Sequence, residues 1–377
     1  MTKICYVVTI AKTVEAFFIP QLQYLAKKGY DVTIVCSGDL NLQDKLGDSI
    51  RFFSIEMPRG ISFINSVVAI ISLIKFFRKE NFDIIQYSTP NAAFYSSIAA
   101  KVVGCKIRNY HLMGLRYLGA SGVGKFVLKL LEKITCKNST SIECVSNSNM
   151  ELGISEGLFP REKVSVIWNG STGGVDLSRF NISKRDQWRD LIRKELGYKV
   201  EDFVFGFVGR ITKDKGINEL LEAFFDLGDD SKLLLIGDFE NIKSLNEELI
   251  IKSKKCNYIK FHGFVSDIER YYAAIDVLVL PSYREGFGNV VIEAGAVGTP
   301  SIVTDIPGPV DTVIQGKTGI IVPVKNVEAL KKSLKSIQNS DYITMGKNAA
   351  VFAKEQFDSH ELCNKIYERK EHLIGTR

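Results

Sequence analysis

Glu285 and Glu293 flank seven residues that begin Gly286-Phe287-Gly288, within the stretch YREGFGNVVIEAGAVGTPSIVTD at 283–305. Val277-Leu278-Val279-Leu280-Pro281 reads as a buried strand, Ser282 to Phe287 as a loop, and a helix is expected from Gly288. Gly286 and Gly288 remove side chains where the first amides of that helix point outward, so an anion can approach the backbone closely. Glu285 then reaches the group beside the anion, and Glu293, early in the helix, can accept hydrogen bonds from a diol such as that of a ribose. Two surface glutamates, the second favoured near a helix start, would show the same spacing.

A second stretch, VGRITKDKGINELLEAF, places Arg210 at the end of the strand Phe203 to Val208 and Lys215 five residues on, before a helix opened by Gly216. Two cations at a strand's carboxyl end suit a diphosphate. A solvated loop is the bland alternative, but a basic pair and bare amides converging on one cleft favour a ligand.

The elements expected to position these residues alternate along the chain. In the first half Ile4 to Ile10, Asp31 to Cys36 and Phe82 to Tyr87 read as strands, and Ala16 to Lys28, Ser62 to Lys79 and Ala92 to Val103 as helices. Shorter elements continue through Lys106 to His111 and Ser141 to Val145 to Val164 to Trp168. Asn169-Gly170-Ser171-Thr172-Gly173-Gly174 reads as a hinge, after which strands and helices restart at Phe203. From there Ile217 to Leu227, Ile242 to Lys254 and Ser266 to Ala274 read as helices. Pro309 to Gln315 and Val327 to Ile337 are among the last elements. The expectation is an α/β chain of two doubly wound, Rossmann-like domains facing each other across a cleft. Their limits are read as 1–170 and 171–355, with 356–377 a helix packing back on the first domain.

Composition is that of an ordinary globular protein, 45% apolar and 24% charged. Seven scattered cysteines without Cys-x-x-Cys spacing favour reduced thiols in a cytoplasmic protein, and no secretory signal is read at the start. The net charge of +6 is concentrated: residues 1–170 hold 20 Lys/Arg against 13 Asp/Glu. A helix from about Val123 sets Lys125, Lys129, Lys133 and Lys137 beside Phe126, Val127, Leu130 and Ile134. That is the pattern of a segment on an anionic membrane, or equally of a solvated helix face. Ile61 to Phe77 is read as a buried helix, too short and interrupted to span a bilayer. No nucleic-acid recognition motif is present, so nucleic acid is not expected as a partner.

Gly209-Arg210 with Lys215-Gly216, then LLLIGD, FHGFVSD, DVLVLPSYREGFGNVVIEAGAVGTPSIVTD and GKTGIIVP, resembles the retaining glycosyltransferases of family 4, which have the GT-B fold. The likeness covers nearly the whole chain and is strongest from Val164 to Pro323. VIWNGSTGGVDLSRF is similar to a longer form of the family's interdomain linker. Such relatives often assemble capsule, O-antigen or other bacterial glycans on lipid-linked acceptors. This implies a cytoplasmic protein peripheral at the inner face of the membrane, with a nucleotide-sugar donor and a lipid-linked glycan acceptor.

The resemblance also implies roles. Arg210 and Lys215 would neutralise the donor diphosphate and its leaving-group charge. Glu293 would bind the ribose hydroxyls and Glu285 would lie near the donor sugar, with the amides of Gly286, Phe287 and Gly288 on sugar hydroxyls and phosphate. Phe264 and Val265 fall where the backbone reads the base, favouring a UDP-sugar. His111, in NYHLMGLRY after a strand, matches a histidine facing the transferred sugar, or is a satisfied loop residue. His262 more simply supports a strand end.

Two segments depart from the family pattern. Thr9-Ile10-Ala11-Lys12-Thr13-Val14 stands where relatives often have a Gly-rich turn, and Ile85-Gln86-Tyr87-Ser88-Thr89-Pro90 lacks the histidines frequent there. The expected reaction is sugar transfer with retention by front-face attack, needing neither metal nor cofactor. Competing readings are an epimerase or phosphorylase on the same scaffold and a non-catalytic sugar-binding protein. A dinucleotide-dependent oxidoreductase is disfavoured, because neither candidate strand is followed by Gly-x-Gly-x-x-Gly.

Overall fold

KICYVVTI is apolar almost throughout, which suits a strand covered on both faces. It forms β1 (Lys3–Ile10), its interior residues buried, inside a parallel sheet of seven strands. The computed structural model describes residues 1–38, 41–58, 63–228 and 231–375. They fall into two compact units: Met1–Gly173 with Ser359–Arg377, and Gly174–Asp358.

In the first unit β1 is followed by α1 (Ala11–Phe17), α2 (Ile19–Lys27), β2 (Asp31–Ser37), α3 (Leu42–Leu46) and β3 (Ile50–Ser54). Next come α4 (Phe63–Glu80), β4 (Ile84–Ser88), α5 (Pro90–Val102), β5 (Ile107–Leu112) and α6 (Gly122–Asn138). β6 (Ser141–Cys144), α7 (Asn147–Ser155) and β7 (Val164–Val166) complete the sheet, ordered β3-β2-β1-β4-β5-β6-β7.

The second unit starts with α8 (Arg185–Leu196), β8 (Phe203–Val208), α9 (Ile217–Phe225), β9 (Ser231–Ile236), α10 (Glu247–Lys255) and β10 (Ile259–Gly263). It continues through α11 (Ile268–Ala274), β11 (Val277–Leu280), α12 (Asn289–Ala296), β12 (Ser301–Thr304) and β13 (Gly319–Val322). After α13 (Val327–Gln338) and α14 (Tyr342–Phe357), α15 (Ser359–Gly375) belongs to the first unit and packs on α2. Both sheets are parallel and doubly wound, the expected α/β class.

Several boundaries differ from the sequence reading for local reasons. The single helix expected from Ala16 to Lys28 is two, α1 and α2, broken at Phe18, because Pro20 has no amide to continue the first and favours a first turn. β3, IRFFS, escapes the pattern because it is a short edge strand carrying Arg51. α7 and α8 were not expected; α8, RDQWRDLIRKEL, is dominated by charge and buries only Ile192, Arg193 and Leu196. The helix expected from Ile242 starts at Glu247, where the Asn246 side chain accepts from the Leu249 amide. Pro309 to Gln315 holds only a turn of 3-10 helix, Pro309–Asp311.

The expected buried helix at Ile61 to Phe77 needs correcting. Ile61 and Ser62 lie outside the described residues, and the helix that follows buries only one stripe, Ala69, Leu73 and Phe77. Ile64, Val67, Val68 and Ile71 of α4 are exposed.

A buried acid ties α6 to the sheet: Tyr110 Oη of β5 donates to Glu132 Oε1 at 2.7 Å. Burial raises the Glu132 pKa to about 7. A carboxyl whose pKa is raised on folding loses stability as pH climbs from its unfolded value to its folded one. Glu132→Gln keeps the acceptor and removes the charge. It is expected to leave stability near pH 4.5 unchanged and to raise it above pH 7 by on the order of 1–3 kcal/mol, measured by denaturant melts across that range.

Candidate active site

In the second unit the sheet order β10-β9-β8-β11-β12-β13 reverses direction between β8 and β11. Open α/β sheets leave a ligand crevice at the carboxyl ends of such a pair, where the two following loops diverge. Both segments singled out in the sequence leave from these two strands.

Gly216 shows how closely the loops approach. It has φ +70°, begins α9, and a Cβ on it would lie 2.0 Å from the Pro281 carbonyl oxygen. Only glycine lets the loop after β8 rest on the loop after β11. Further ties are the Tyr283 amide, which donates to the Asp214 carbonyl at 2.9 Å, and Arg284 Nη2, 3.1 Å from Asp214 Oδ2. Thr212 Oγ1 donates to the other Asp214 oxygen at 2.6 Å.

The contact brings two predicted residues together. Lys215 Nζ donates to Glu285 Oε1 at 2.5 Å, with side-chain exposures of 16% and 15%. Ser282 Oγ donates to the same oxygen at 2.8 Å. Arg210 lies in the field of Glu285 and Asp214, and its Nη1 donates to Glu240 Oε2 at 2.8 Å. Each cation therefore carries a carboxylate that an incoming phosphate oxygen can replace.

Beside them Gly286-Phe287-Gly288 enters α12. The Phe287 ring is buried edge-on against Phe357, centroids 5.4 Å apart, so its backbone is anchored from behind. Gly288, φ +106°, precedes the first turn, whose amides receive no side-chain cap from it. Glu293 does not hydrogen-bond Lys215 or Glu285. Its Oε2 accepts from Tyr272 Oη of α11 at 2.9 Å, and burial raises its pKa. Phe264 projects into solvent, 75% exposed, just after β10, with Val265 half-buried beside it.

His111 belongs to the first unit. It stands inside β5, next to last, and not in a loop after the strand. Its Nδ1 lies 3.1 Å from Ser88 Oγ, and Phe18 meets the ring edge-on. Burial lowers its pKa to about 4, so the imidazole is neutral at pH 7. Glu143, its register partner on β6, accepts from Asn109 Nδ2 and Lys370 Nζ, both at 2.8 Å. Burial alone would raise the Glu143 pKa, but the Lys370 charge and these hydrogen bonds hold it below the usual value.

The departing segment after β1 is closed by a pair of threonines. β1 runs directly into α1, the Thr9 amide donates to Thr89 Oγ1 at 3.1 Å, and the two hydroxyls lie 2.7 Å apart.

Sequence reasoning missed Glu240, Tyr272, Ser282, Glu143 and Lys370. Glu143 had a signal, an acid between Ile142 and Cys144 in a fully buried strand. Glu240, Tyr272 and Lys370 had none, since each meets its partner across 21 to 227 residues.

Comparison with known proteins gives two family matches: residues 3–146 to "Glycosyl transferase 4-like" and residues 189–356 to "Glycosyl transferases group 1". The capsular polysaccharide biosynthesis glycosyltransferase CapM of Staphylococcus aureus is 33% identical, over 99% of this chain and 97% of that one. An Escherichia coli UDP-Gal:alpha-D-GlcNAc-diphosphoundecaprenol alpha-1,3-galactosyltransferase is 30% identical over 89% of this chain and 87% of its own. Among solved structures, Anabaena HepE in complex with UDP-glucose has a TM-score of 0.80 at 20% identity, covering 99% of this chain and 100% of that one.

Proposed function

The chain belongs to the bacterial glycosyltransferases of family 4 type, with the GT-B fold, and from that premise we propose that it moves a sugar from a UDP donor to a hydroxyl of a lipid-linked glycan, with retention, in surface polysaccharide assembly. The observation that carries the reading is the Lys215–Glu285 pair with Arg210 at the β8/β11 switch point. Support for the donor and acceptor classes comes from the names of relatives: one uses UDP-Gal and a diphosphoundecaprenol-linked sugar, and HepE was crystallised with UDP-glucose.

In this reading Arg210 and Lys215 hold the diphosphate, exchanging Glu240 and Glu285 for phosphate oxygens, and the amides of Gly286, Phe287 and Gly288 complete the cradle. Glu285, released from Lys215, accepts from sugar hydroxyls. Glu293, oriented by Tyr272, binds the ribose diol, and the Phe264-Val265 backbone reads uracil. His111 contributes a neutral imidazole, able to donate to or accept from a sugar hydroxyl. The bond from the anomeric carbon to the β-phosphate oxygen breaks as the acceptor oxygen bonds to the same face. The acceptor's proton passes to the leaving phosphate, so the protein supplies position and charge.

The exposed Arg210–Glu240 pair competes with the donor. Glu240→Gln is expected to tighten UDP several-fold in calorimetric titration, the modest effect proper to an exposed pair. The reaction course is tested by proton NMR of the product formed from an α-linked donor. An α-linked product is expected, and a β-linked one would overturn the front-face mechanism.

A further inference from the structure

Ion pairs at the β8/β11 switch point join cations and carboxylates one to one. Arg210 holds Glu240 and Lys215 holds Glu285, the pairs that a diphosphate would open. A further pair, Arg284 with Asp214, joins the residues immediately before Glu285 and Lys215. No role in the function proposed above falls to it.

Holding the loops together is not what this pair adds. The Tyr283 amide already donates to the Asp214 carbonyl at 2.9 Å, and Gly216 rests on the Pro281 carbonyl. Tyr283 Oη donates to Glu219, and Lys325 Nζ lies 4.7 Å from the centre of its ring. With its loops docked by backbone and by Tyr283, a bridge whose side chains are 35% and 30% exposed contributes little to stability.

Its effect is on charge. Burial alone would raise the Asp214 pKa, but the Thr212 hydrogen bond and the charges of Arg284, Lys215 and Arg210 hold it below the usual value. Asp214 is therefore an anion in the field of the two cations that a diphosphate needs. Both of its oxygens are engaged, Oδ1 by Thr212 at 2.6 Å and Oδ2 by Arg284 at 3.1 Å. Without Arg284, Oδ2 is left to Lys215 and Arg210.

We infer that Arg284 is a positioning residue that acts through Asp214: it occupies the carboxylate and so keeps Lys215 and Arg210 available to the diphosphate of a nucleotide donor. This rests on the donor site proposed above.

The test is calorimetric titration, without acceptor, of UDP or GDP, whichever wild type binds, into Arg284→Met, Asp214→Asn and the double variant, each checked by thermal melt. Arg284→Met is expected to weaken the nucleotide about five- to tenfold, the scale of one partly exposed ion pair. Adding Asp214→Asn should return affinity to within about twofold of wild type, and Asp214→Asn alone should stay within about threefold of it. Arg284→Lys, which can still pair through one donor, should lose less than Arg284→Met. An equal loss in Arg284→Met and the double variant would mean that Arg284 touches the donor or only braces the loop. Unchanged affinity in Arg284→Met would remove it from the site. Either result overturns the inference.

The ligand-free crystal structure of Arg284→Met separates this inference from the function itself. Asp214 is expected to pair with Lys215 or Arg210 there, and an Asp214 that joins neither would overturn the inference. If wild type binds neither nucleotide, the donor site fails as proposed, while that change of partner would still uphold Arg284 as the group that occupies Asp214.

Discussion

Lys215→Ala is expected to lower kcat/KM by roughly 10²–10³-fold while the fold survives. The ammonium is nearly buried against Glu285 at the end of the β8 loop, so its position is fixed before any donor arrives. A charge held in place in a partly desolvated site stabilises a developing phosphate charge far better than a mobile one in water. Removing it also takes the paired cation from Glu285, which Ser282 still hydrogen-bonds, and so puts more negative charge beside the diphosphate. Lys215→Arg should recover only part of the loss, because a planar fork cannot occupy the place of a compact ammonium. Steady-state kinetics with a thermal melt of each variant checks this; a loss below tenfold in Lys215→Ala would remove Lys215 from the transition state.

The second large effect concerns the end of the chain. Lys370 of α15 is fully buried and bonded to Glu143, itself 1% exposed, in the layer that backs His111. Lys370→Met leaves a buried carboxylate with Asn109 and the more distant Arg369, and is expected to destabilise the first unit by about 3–5 kcal/mol. Replacing both partners, Glu143→Leu with Lys370→Met, should restore most of that, since two apolar groups leave no charge stranded. Denaturant unfolding of the two variants side by side makes the comparison. The Lys370 charge also disfavours protonation of His111, so its loss should move the imidazole pKa up from about 4, readable by NMR titration. Because the folded-state pKa of Glu143 is depressed, its contribution is present above the unfolded carboxylate value and is lost as pH falls through the folded one.

What the sequence disclosed about the site follows from how local each signal is. Glu285, Gly286 and Gly288 lie on one loop, and Arg210, Lys215 and Gly216 on another; two apolar strands, β8 and β11, aim both loops from the same edge. Spacing along the chain was enough to read each. Their meeting was legible only in part: Gly216 against Pro281 depends on a missing Cβ, which no hydrophobic pattern encodes. The Lys370–Glu143 pair spans 227 residues, so the helix expected at 356–377 did not disclose that one of its buried positions is a lysine. In the fold, β1 and β11 announced themselves by unbroken apolar runs. β3 and α8 did not, because an edge strand and a charge-rich helix bury little. α4 misled for the opposite reason: its apolar excess predicted burial, whereas part of that excess faces solvent.

If the β8/β11 loops bind a nucleotide-sugar diphosphate for transfer, as proposed above, UDP or GDP release from a panel of nucleotide sugars will report it, followed with and without lipid-diphosphate-sugar acceptors in wild type, Glu285→Ala and Arg210→Ala. Acceptor-dependent UDP release from one donor, lost in both variants, is the expected result. Turnover in both variants at the wild-type rate would contradict it and place the chemistry elsewhere in the chain.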